Sequence, residues 1–496
     1  MVTVTSVAMA LDPRTPVLVG VGVAHQREGD PGAGLDTTQL IVESARLAVA
    51  DSGAPGLGSR VGWIGATRGL SNLPAAAIRV ATALGADAHT VAANVGIPQQ
   101  TLINRALNAL QAAATDIAIV CGGETKYRDD VARRAGVDLA GHDQEGLTPD
   151  VEMMPEGEIV ARPEIEIGMV APVQQYAIID SARRAAEGWT LDEHRTDIAT
   201  IWNGFNQVAR GFARADFGDP MSIEDIRDPS PTNRPIAFPY NKWHNSQWGV
   251  DQAAAMVFCT VAVAEEMGVP RDRWVFPHVG LESSLSLSLS RRAELHRWPA
   301  MRVLGEAAAS HIGRPISDID HVELYSCFPV AVRVQQKELG LDPTRVPTLT
   351  GGMAFAGGPF NSFVFQALVA MAERLRSDAG SWGAVSAVSG LLTKPALAMW
   401  STEPPANGLL VADLVEEASA ATAVAPLDEN PDGEGVVASY TVIYAGTDPA
   451  RVCAIVDLDS GDRAVAAVDD PDLAVQGAAE ELIGTRVRVT GRALSV

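Results

Sequence analysis

One stretch constrains this chain more than any other, Val91 to Glu124, VAANVGIPQQTLINRALNALQAAATDIAIVCGGE. It reads as a short strand, a tight loop, an apolar helix and a second strand. Between Gln99 and Ala114 only Asn104, Arg105, Asn108 and Gln111 are clearly polar past the first turn, so the helix must bury most of its circumference. The run from Ile117 to Cys121 is continuously apolar and ends in Gly122 and Gly123, the pattern of a parallel strand covered on both faces. Such a helix directs its N-terminal amides and positive dipole end at the Val95-Gly96-Ile97-Pro98 loop, where a reacting group or an anion would sit well.

A chain of 496 residues is too long for one ordinary domain and suggests two or three units. Ahead of the central element, Val17 to Gly22 reads as a buried strand running into a turn. Asp36 then offers an N-cap to a helix through Leu40, Ile41, Ala45, Leu47 and Ala48, with Gly53 as its stop. The Gly20-Val21-Gly22 triplet lacks the third glycine and prompt helix of a dinucleotide loop. A strand at 61–65, a helix at 74–84 and a strand at 90–94 complete an α/β layered unit. Residues 125–170, with GHDQEGLTPD and PEGE, read as acidic loop. Two amphipathic helices follow, one over 172–187 with Tyr176, Ile178, Ile179 and Ala182 as apolar points, the other opened by a capping box at Thr190-Leu191-Asp192-Glu193.

Between Arg234 and Trp248, Tyr240, Trp243 and Trp248 stand beside Lys242, His244, Asn245 and Ser246, a composition that suits a ligand pocket and a docked loop equally. From about Val261 the first pattern begins again, with helix 261–267, strand 274–279, helix 301–312 and strand 322–325. Ser283 to Ser290 alternates leucine and serine, as a half-exposed strand does. A loop over 351–361 then leads into an apolar helix at 363–375 and a strand at 384–388, an architectural echo of the central element. We therefore expect a first half at 1–262 with an insertion at about 125–250, a second half at 263–402, and a β-rich unit at 403–496 behind a Pro-Pro-containing linker. The valine-rich runs of that last unit predict a small barrel of oligonucleotide/oligosaccharide-binding (OB) type.

Composition narrows the function classes. The formal charge of −23 argues against nucleic acid as a partner, since phosphate binding rests on clustered Lys and Arg. No apolar run reaches the roughly 18 to 20 residues of a membrane span, and the start has no basic n-region. The four cysteines, Cys121, Cys259, Cys327 and Cys453, form no CxxC pair, so neither zinc nor a disulfide framework is expected. The reading is a globular protein of the reducing cytosol.

Two further motifs bring in a family. Gly351-Gly352-Met353-Ala354-Phe355-Ala356-Gly357-Gly358-Pro359 looks like the "GG…GHP" signature of the thiolase superfamily. Tyr325-Ser326-Cys327-Phe328 stands where sterol-carrier-type thiolases carry "HDCF". The resemblance covers roughly residues 15–402 and fits best the branch called type-1 thiolase-like proteins, which carry an extra C-terminal domain. It implies a five-layer αβαβα sandwich with a pseudo-twofold and a helical insertion serving as lid over the cleft. It also implies an acyl-CoA thioester as ligand, no other cofactor, and a homodimer or monomer.

The same comparison removes the expected chemistry. The family's nucleophilic cysteine falls on Gly96, the GHP histidine on Gly358 and the HDCF histidine on Tyr325, while Ala387 to Pro395 lacks the second cysteine. Each glycine either widens the cleft or satisfies a strained dihedral. The catalytic candidates that remain are Tyr325, Cys327 and Asn361; Gly96, Gly352, Gly358, His244 and Ser389 are candidates for substrate binding. Some cysteine-less relatives are aldolases that use a tyrosine at this motif and work with a barrel domain. An unperturbed phenol with a pKa near ~10 is a poor base, and Phe328 beside Cys327 would not activate a thiol. Three functions stay open, an acyl-CoA-handling acyltransferase by descent, a retro-aldol lyase on a β-hydroxyacyl-CoA, and a non-catalytic binding protein.

Overall fold

The computed structural model describes residues 11–139, 144 and 146–496. The first half builds β1 (Pro16–Gln26), α1 (Thr37–Asp51), β2 (Trp63–Thr67), α2 (Ala76–Leu84), β3 (His89–Ala93), α3 (Gln99–Gln111) and β4 (Ile117–Thr125). The Asp36 cap is a full capping box, with Gln39 returning the hydrogen bond to the Asp36 backbone. Next come α4 (Lys126–Ala135), β5 (Val151–Met153), α5 (Arg162–Glu166), α6 (Pro172–Glu187), α7 (Leu191–Ala209), α8 (Ile223–Arg227), β6 (Pro235–Ala237), β7 (Tyr240–Asn241) and β8 (Asp251–Thr260). The second half holds α9 (Val261–Glu266), β9 (Phe276–Glu282), α10 (Pro299–Ile312), β10 (His321–Glu323), α11 (Pro329–Glu338), α12 (Gly352–Phe355), α13 (Phe363–Ser377), β11 (Trp382–Ser389) and β12 (Lys394–Ser401). After β13 (Leu410–Asp413) and α14 (Val415–Ala421) come β14 (Asp432–Ala445), β15 (Asp448–Leu458), β16 (Arg463–Val468), α15 (Pro471–Ala479), β17 (Arg486–Thr490) and β18 (Ala493–Ser495).

Two sheets carry the core, one in the order β1-β8-β4-β2-β3-β5, the other β10-β11-β12-β9-β13. The first sheet's period of two splits its side chains between two cores. Val17, Val19, Ile117 and Ile119 face the cluster under α1 and α2. Leu18, Ala118 and Val120 face the opposite way, onto α3 and α13. Both of those helices touch both sheets, and α10 covers the far side of the second sheet. The result is the five-layer αβαβα sandwich, with the two apolar helices as its middle layer. The barrel expected at the C-terminus also forms, its strands running β14-β15-β16-β18-β17 and closing back on β14.

Several local expectations change. β1 does not turn at Gly20-Val21-Gly22 but runs on to Gln26, paired with β8 throughout. Those two glycines let the strand lie against α1, because side-chain carbons there would strike the backbone of Ser44, Leu47 and Ala48. The expected loop at 125–170 holds a helix, α4, steadied by a Lys126–Asp130 pair one turn apart, and a three-residue strand, β5, that extends the first sheet beside β3. Part of the GHDQEGLTPD stretch, residues 141–143 and 145, lies outside the described residues. Ser283 to Ser290 is not a strand. Past Ser283, side-chain oxygens take over the backbone, with Leu285 N donating to Ser283 Oγ (3.3 Å) and Leu287 N to Thr393 Oγ1 (2.8 Å), so no neighbouring strand is needed.

The helix expected to be an amphipathic lid is buried around its middle. Gln175 through Arg184 of α6 are buried without interruption. One side packs on α11, while β14 of the barrel lies along another. Ser439 Oγ donates to the Ile178 carbonyl at 2.6 Å, and the Arg184 guanidinium is paired bidentately with Glu481 (2.8 to 3.0 Å) over the rings of Phe238 and Tyr440. The barrel supplies the partner that allows Arg184 to leave water, while Asp180 and Arg183 find theirs in His194, Tyr240 and Asp197.

Gly22→Val is expected to lower the unfolding free energy by about 3 kcal/mol through overpacking against α1. Urea denaturation should show a reduced midpoint, whereas Gly433→Ala, at a position with open space around it, should sit close to wild type.

Candidate functional site

The two inner helices start side by side. Gln99 Oε1, in the first turn of α3, accepts the Val364 amide of α13 at 2.8 Å, which brings the loops preceding both helices to the same end of the sandwich. Between them lies the segment Leu324 to Phe328, leading from β10 into α11. Its backbone is fixed before any side chain is considered. Tyr325 N donates to Ser386 Oγ (2.8 Å), and the Tyr325 carbonyl accepts from Gln335 Nε2 (2.9 Å). Ser326 Oγ accepts the Met353 amide (3.0 Å) and so ties this segment to the Gly351-Gly352 turn.

Three weak acids converge beside this segment. The Tyr325 ring stands edge-on to Phe363, centroids 5.9 Å apart, and its hydroxyl has no hydrogen-bond partner among the described residues. Tyr176, from α6, stacks on Phe328 at 4.4 Å and points its hydroxyl at the Gly390 carbonyl, 3.4 Å away, next to Ser389 at the end of β11. Cys327 lies close enough to both phenols to perturb them. Burial raises the Tyr325 phenol well above its ordinary range, and neighbouring Cys327 adds to the shift. Burial likewise pushes the Cys327 thiol up to about 12, although neighbouring Tyr176 opposes the rise. All three groups are therefore protonated at neutral pH and can donate hydrogen bonds; none is a ready base or nucleophile.

The places of the missing family residues are filled. Gly96 has φ +99°, a conformation side chains rarely adopt, and a carbon added there would meet Pro155 Cβ at 2.9 Å. At Gly358 the added carbon would strike Ser246 Oγ and lie 3.2 Å from Met353 Cβ. Gly352, φ +71°, is hemmed in by Phe205 and Ser326. The aromatic-rich segment forms the filling. Ser246 N donates to the Cys327 carbonyl (3.1 Å), Gln247 N to Met353 (3.0 Å) and Gly358 N to Gln247 (2.9 Å). The idea that glycine widens the cleft is thus corrected: a left-handed dihedral and close packing account for Gly96, and close packing alone for Gly358.

The remaining candidates sit elsewhere in this neighbourhood. His244 is 2% exposed, accepts the Asn241 amide at Nδ1 (3.0 Å) and turns its ring edge to Tyr240. It serves its own turn, and burial lowers it to about 4, so it is neutral. Asn361 Nδ2 donates to the Arg68 carbonyl (3.2 Å), at the end of β2 rather than beside Tyr325. Close by, burial raises Glu124 to about 7 against the opposing amides of Leu70 and Asn361. Among the described residues no group of His, Cys, Asp and Glu could hold a metal, and all four cysteines are buried and free. No helix is long and apolar enough to cross a membrane. Sequence reasoning took Tyr176 for a simple apolar point of its helix and passed over Pro155; neither residue lies at a spacing that marks it.

Comparison with known proteins supports the fold directly. Over 98% of this chain and 100% of the other, with 26% identity and a TM-score of 0.83, it is similar to a monomeric SCP2-thiolase-like protein type 1 from Mycobacterium smegmatis. The dimeric peroxisomal thiolase of Saccharomyces cerevisiae matches at 16% identity and TM-score 0.57, over 79% of this chain and 98% of that one. An Ltp2–ChsH2(DUF35) aldolase matches at 17% and 0.55, over 78% and 98%. Residues 429–492 match the C-terminal OB-fold domain of ChsH2. No curated protein sequence matches.

The neutral state of His244 has a pH signature. Its folded pKa, about 4, lies below the ordinary 6.5, so the stability it contributes is present above 6.5 and lost as pH falls toward 4. Urea midpoints of wild type and His244→Gln should therefore draw together between pH 7 and pH 4.5.

Proposed function

We propose that this chain, which carries the thiolase fold with a C-terminal OB barrel, binds acyl-CoA thioesters without thiolase turnover. The observation that carries the reading is the paired filling of Gly96 by Pro155 and of Gly358 by Ser246 and Met353. An acyl-enzyme needs a thiolate and a base within reach of it; here both positions lack a side chain and the space for one. Neutral donors remain around the Tyr325 segment, and a thioester oxygen is an acceptor that the Tyr325 hydroxyl and the loop amides suit.

Isothermal titration of the full chain with acetyl-CoA is expected to show binding, while acetoacetyl-CoA plus coenzyme A yields no thiolysis. The double variant Gly96→Cys with Gly358→His should remain inactive in thiolysis, since Pro155 and Ser246 stay in place. Lack of binding to every acyl-CoA, or thiolysis by wild type, would overturn the proposal.

A second reading, retro-aldol cleavage of a β-hydroxyacyl-CoA, is favoured by the unpartnered Tyr325 hydroxyl and by the barrel's match to that of ChsH2. In such a cleavage the β-hydroxyl loses its proton, the Cα–Cβ bond breaks, and the enolate is protonated at Cα. A phenol held neutral suits that last step. Tyr325→Phe should then slow cleavage by about 100-fold or more. Cleavage that the substitution leaves untouched, or none in wild type, would remove this reading.

A further inference from the structure

Arg292 is a buried cation without a counter-ion. Its side chain emerges after the turn Leu289–Arg291, and the residue is 5% exposed. Nη2 donates to the Leu391 and Leu287 carbonyls, but Nη1 has no partner, and no carboxylate lies within ion-pair distance among the described residues. Glu164 is the carboxylate whose charge reaches it. Both Glu164 oxygens are engaged elsewhere, Oε1 by the Ser290 amide (2.7 Å), Oε2 by the Ala161 amide (2.9 Å) and Gln175 Nε2 (3.3 Å). A guanidinium withdrawn from water with a donor unused is strongly unfavourable unless an anion completes it.

The surroundings are built for such a partner. Arg292, Trp298, Leu285, Leu287, Thr393 and Thr422 line a small hollow that opens to solvent. Trp298 is 3% exposed, and its Nε1 is a second buried donor with no partner. The wall is completed by Pro299 and Ala300, the first residues of α10, a 14-residue helix that turns its positive end here. Of the other charges, Arg297 is neutralised by Glu338 (2.6 and 3.0 Å) and Glu294 stands exposed at the rim. Tyr176 lies next door: its hydroxyl faces the Gly390 carbonyl at 3.4 Å, one residue before the Leu391 carbonyl that takes Arg292 Nη2.

We infer that this hollow is a binding site for an anionic oxygen group, a carboxylate or a phosphate, held by Arg292 Nη1 and Trp298 Nε1 at the first turn of α10. The group comes either from a free small anion or from a carboxylate at the far end of a thioester's acyl chain. The free-anion case stands apart from the acyl-CoA proposal.

The test titrates the full chain with inorganic phosphate, succinate, succinyl-CoA and propionyl-CoA, by calorimetry and by thermal shift. Binding of phosphate or succinate alone assigns a free anion; succinyl-CoA binding more tightly than propionyl-CoA, with no free anion bound, assigns the acyl carboxylate. In either case Arg292→Met, similar in length but uncharged, should weaken the anion about tenfold or more. Trp298→Phe, which keeps the shape and removes the donor, should weaken it several-fold and carries the test if the arginine variant does not fold. The inference is overturned if no anion binds, or if binding is the same in both variants. Failure of propionyl-CoA alone to bind would count against the acyl-CoA proposal and leave this one standing when phosphate or succinate still binds.

Discussion

The architecture depends on two helices that bury most of their surface between the sheets. α13 is buried from Phe363 through Ala372 and α3 leaves only the strip of Arg105, Asn108 and Gln111 to water, so each needs a sheet on either side. That demand fixes the order of layers and repeats the half-unit. With Gln99 bonded to Val364, it also brings the two loops entering the middle layer together at one end of the molecule. What this end of the molecule can do chemically is decided separately, by the few residues that line it.

Both the power and the reach of sequence reasoning can be traced to particular residues. α3 was legible because its apolar residues leave only a narrow polar strip at Arg105, Asn108 and Gln111, and the boxes at Asp36 and Thr190 were legible because a cap is a local hydrogen bond over three residues. The polar face of α6 misled because its partners lie far along the chain, Glu481 for Arg184, Tyr240 and His194 for Asp180. The serine-leucine run misled because period two fits a strand and equally a segment whose backbone is satisfied by Thr393 and its own serines. Gly96 and Gly358 were located from the family pattern. Met353 lies within the same glycine motif as Gly358, whereas Pro155, which closes on Gly96, belongs to a segment with no pattern of its own.

The barrel gains a structural meaning from α6. This helix offers Tyr176 to the cleft while its carbonyl at Ile178 and its guanidinium at Arg184 are held by barrel residues. Between these contacts sits Asp180, which burial alone would raise but which His194, Arg183 and Tyr240 hold below its ordinary value. Tyr240 also stacks on Phe328, and Phe328 on Tyr176. Displacement of the barrel would therefore strip counter-charges from the back of the same helix that supplies the cleft, so the C-terminal unit and the site share one packing problem.

The close packing at Gly96 and Gly358 also bears on the proposal that the chain binds without thiolase turnover. Pro155, itself exposed, lies against the half-buried Gly96, while Ser246 and Met353 occupy the ground beside Gly358 and are stitched there by backbone hydrogen bonds to Cys327 and Gln247. Gly358 touches both Ser246 and Met353, so changes among these three are not independent. A cysteine placed at 96 is opposed by both a left-handed dihedral and a proline; a histidine at 358 is opposed by a segment bonded on both sides. The present arrangement is a packed state of its own, which single replacements toward the thiolase pattern would disturb before they could restore any chemistry.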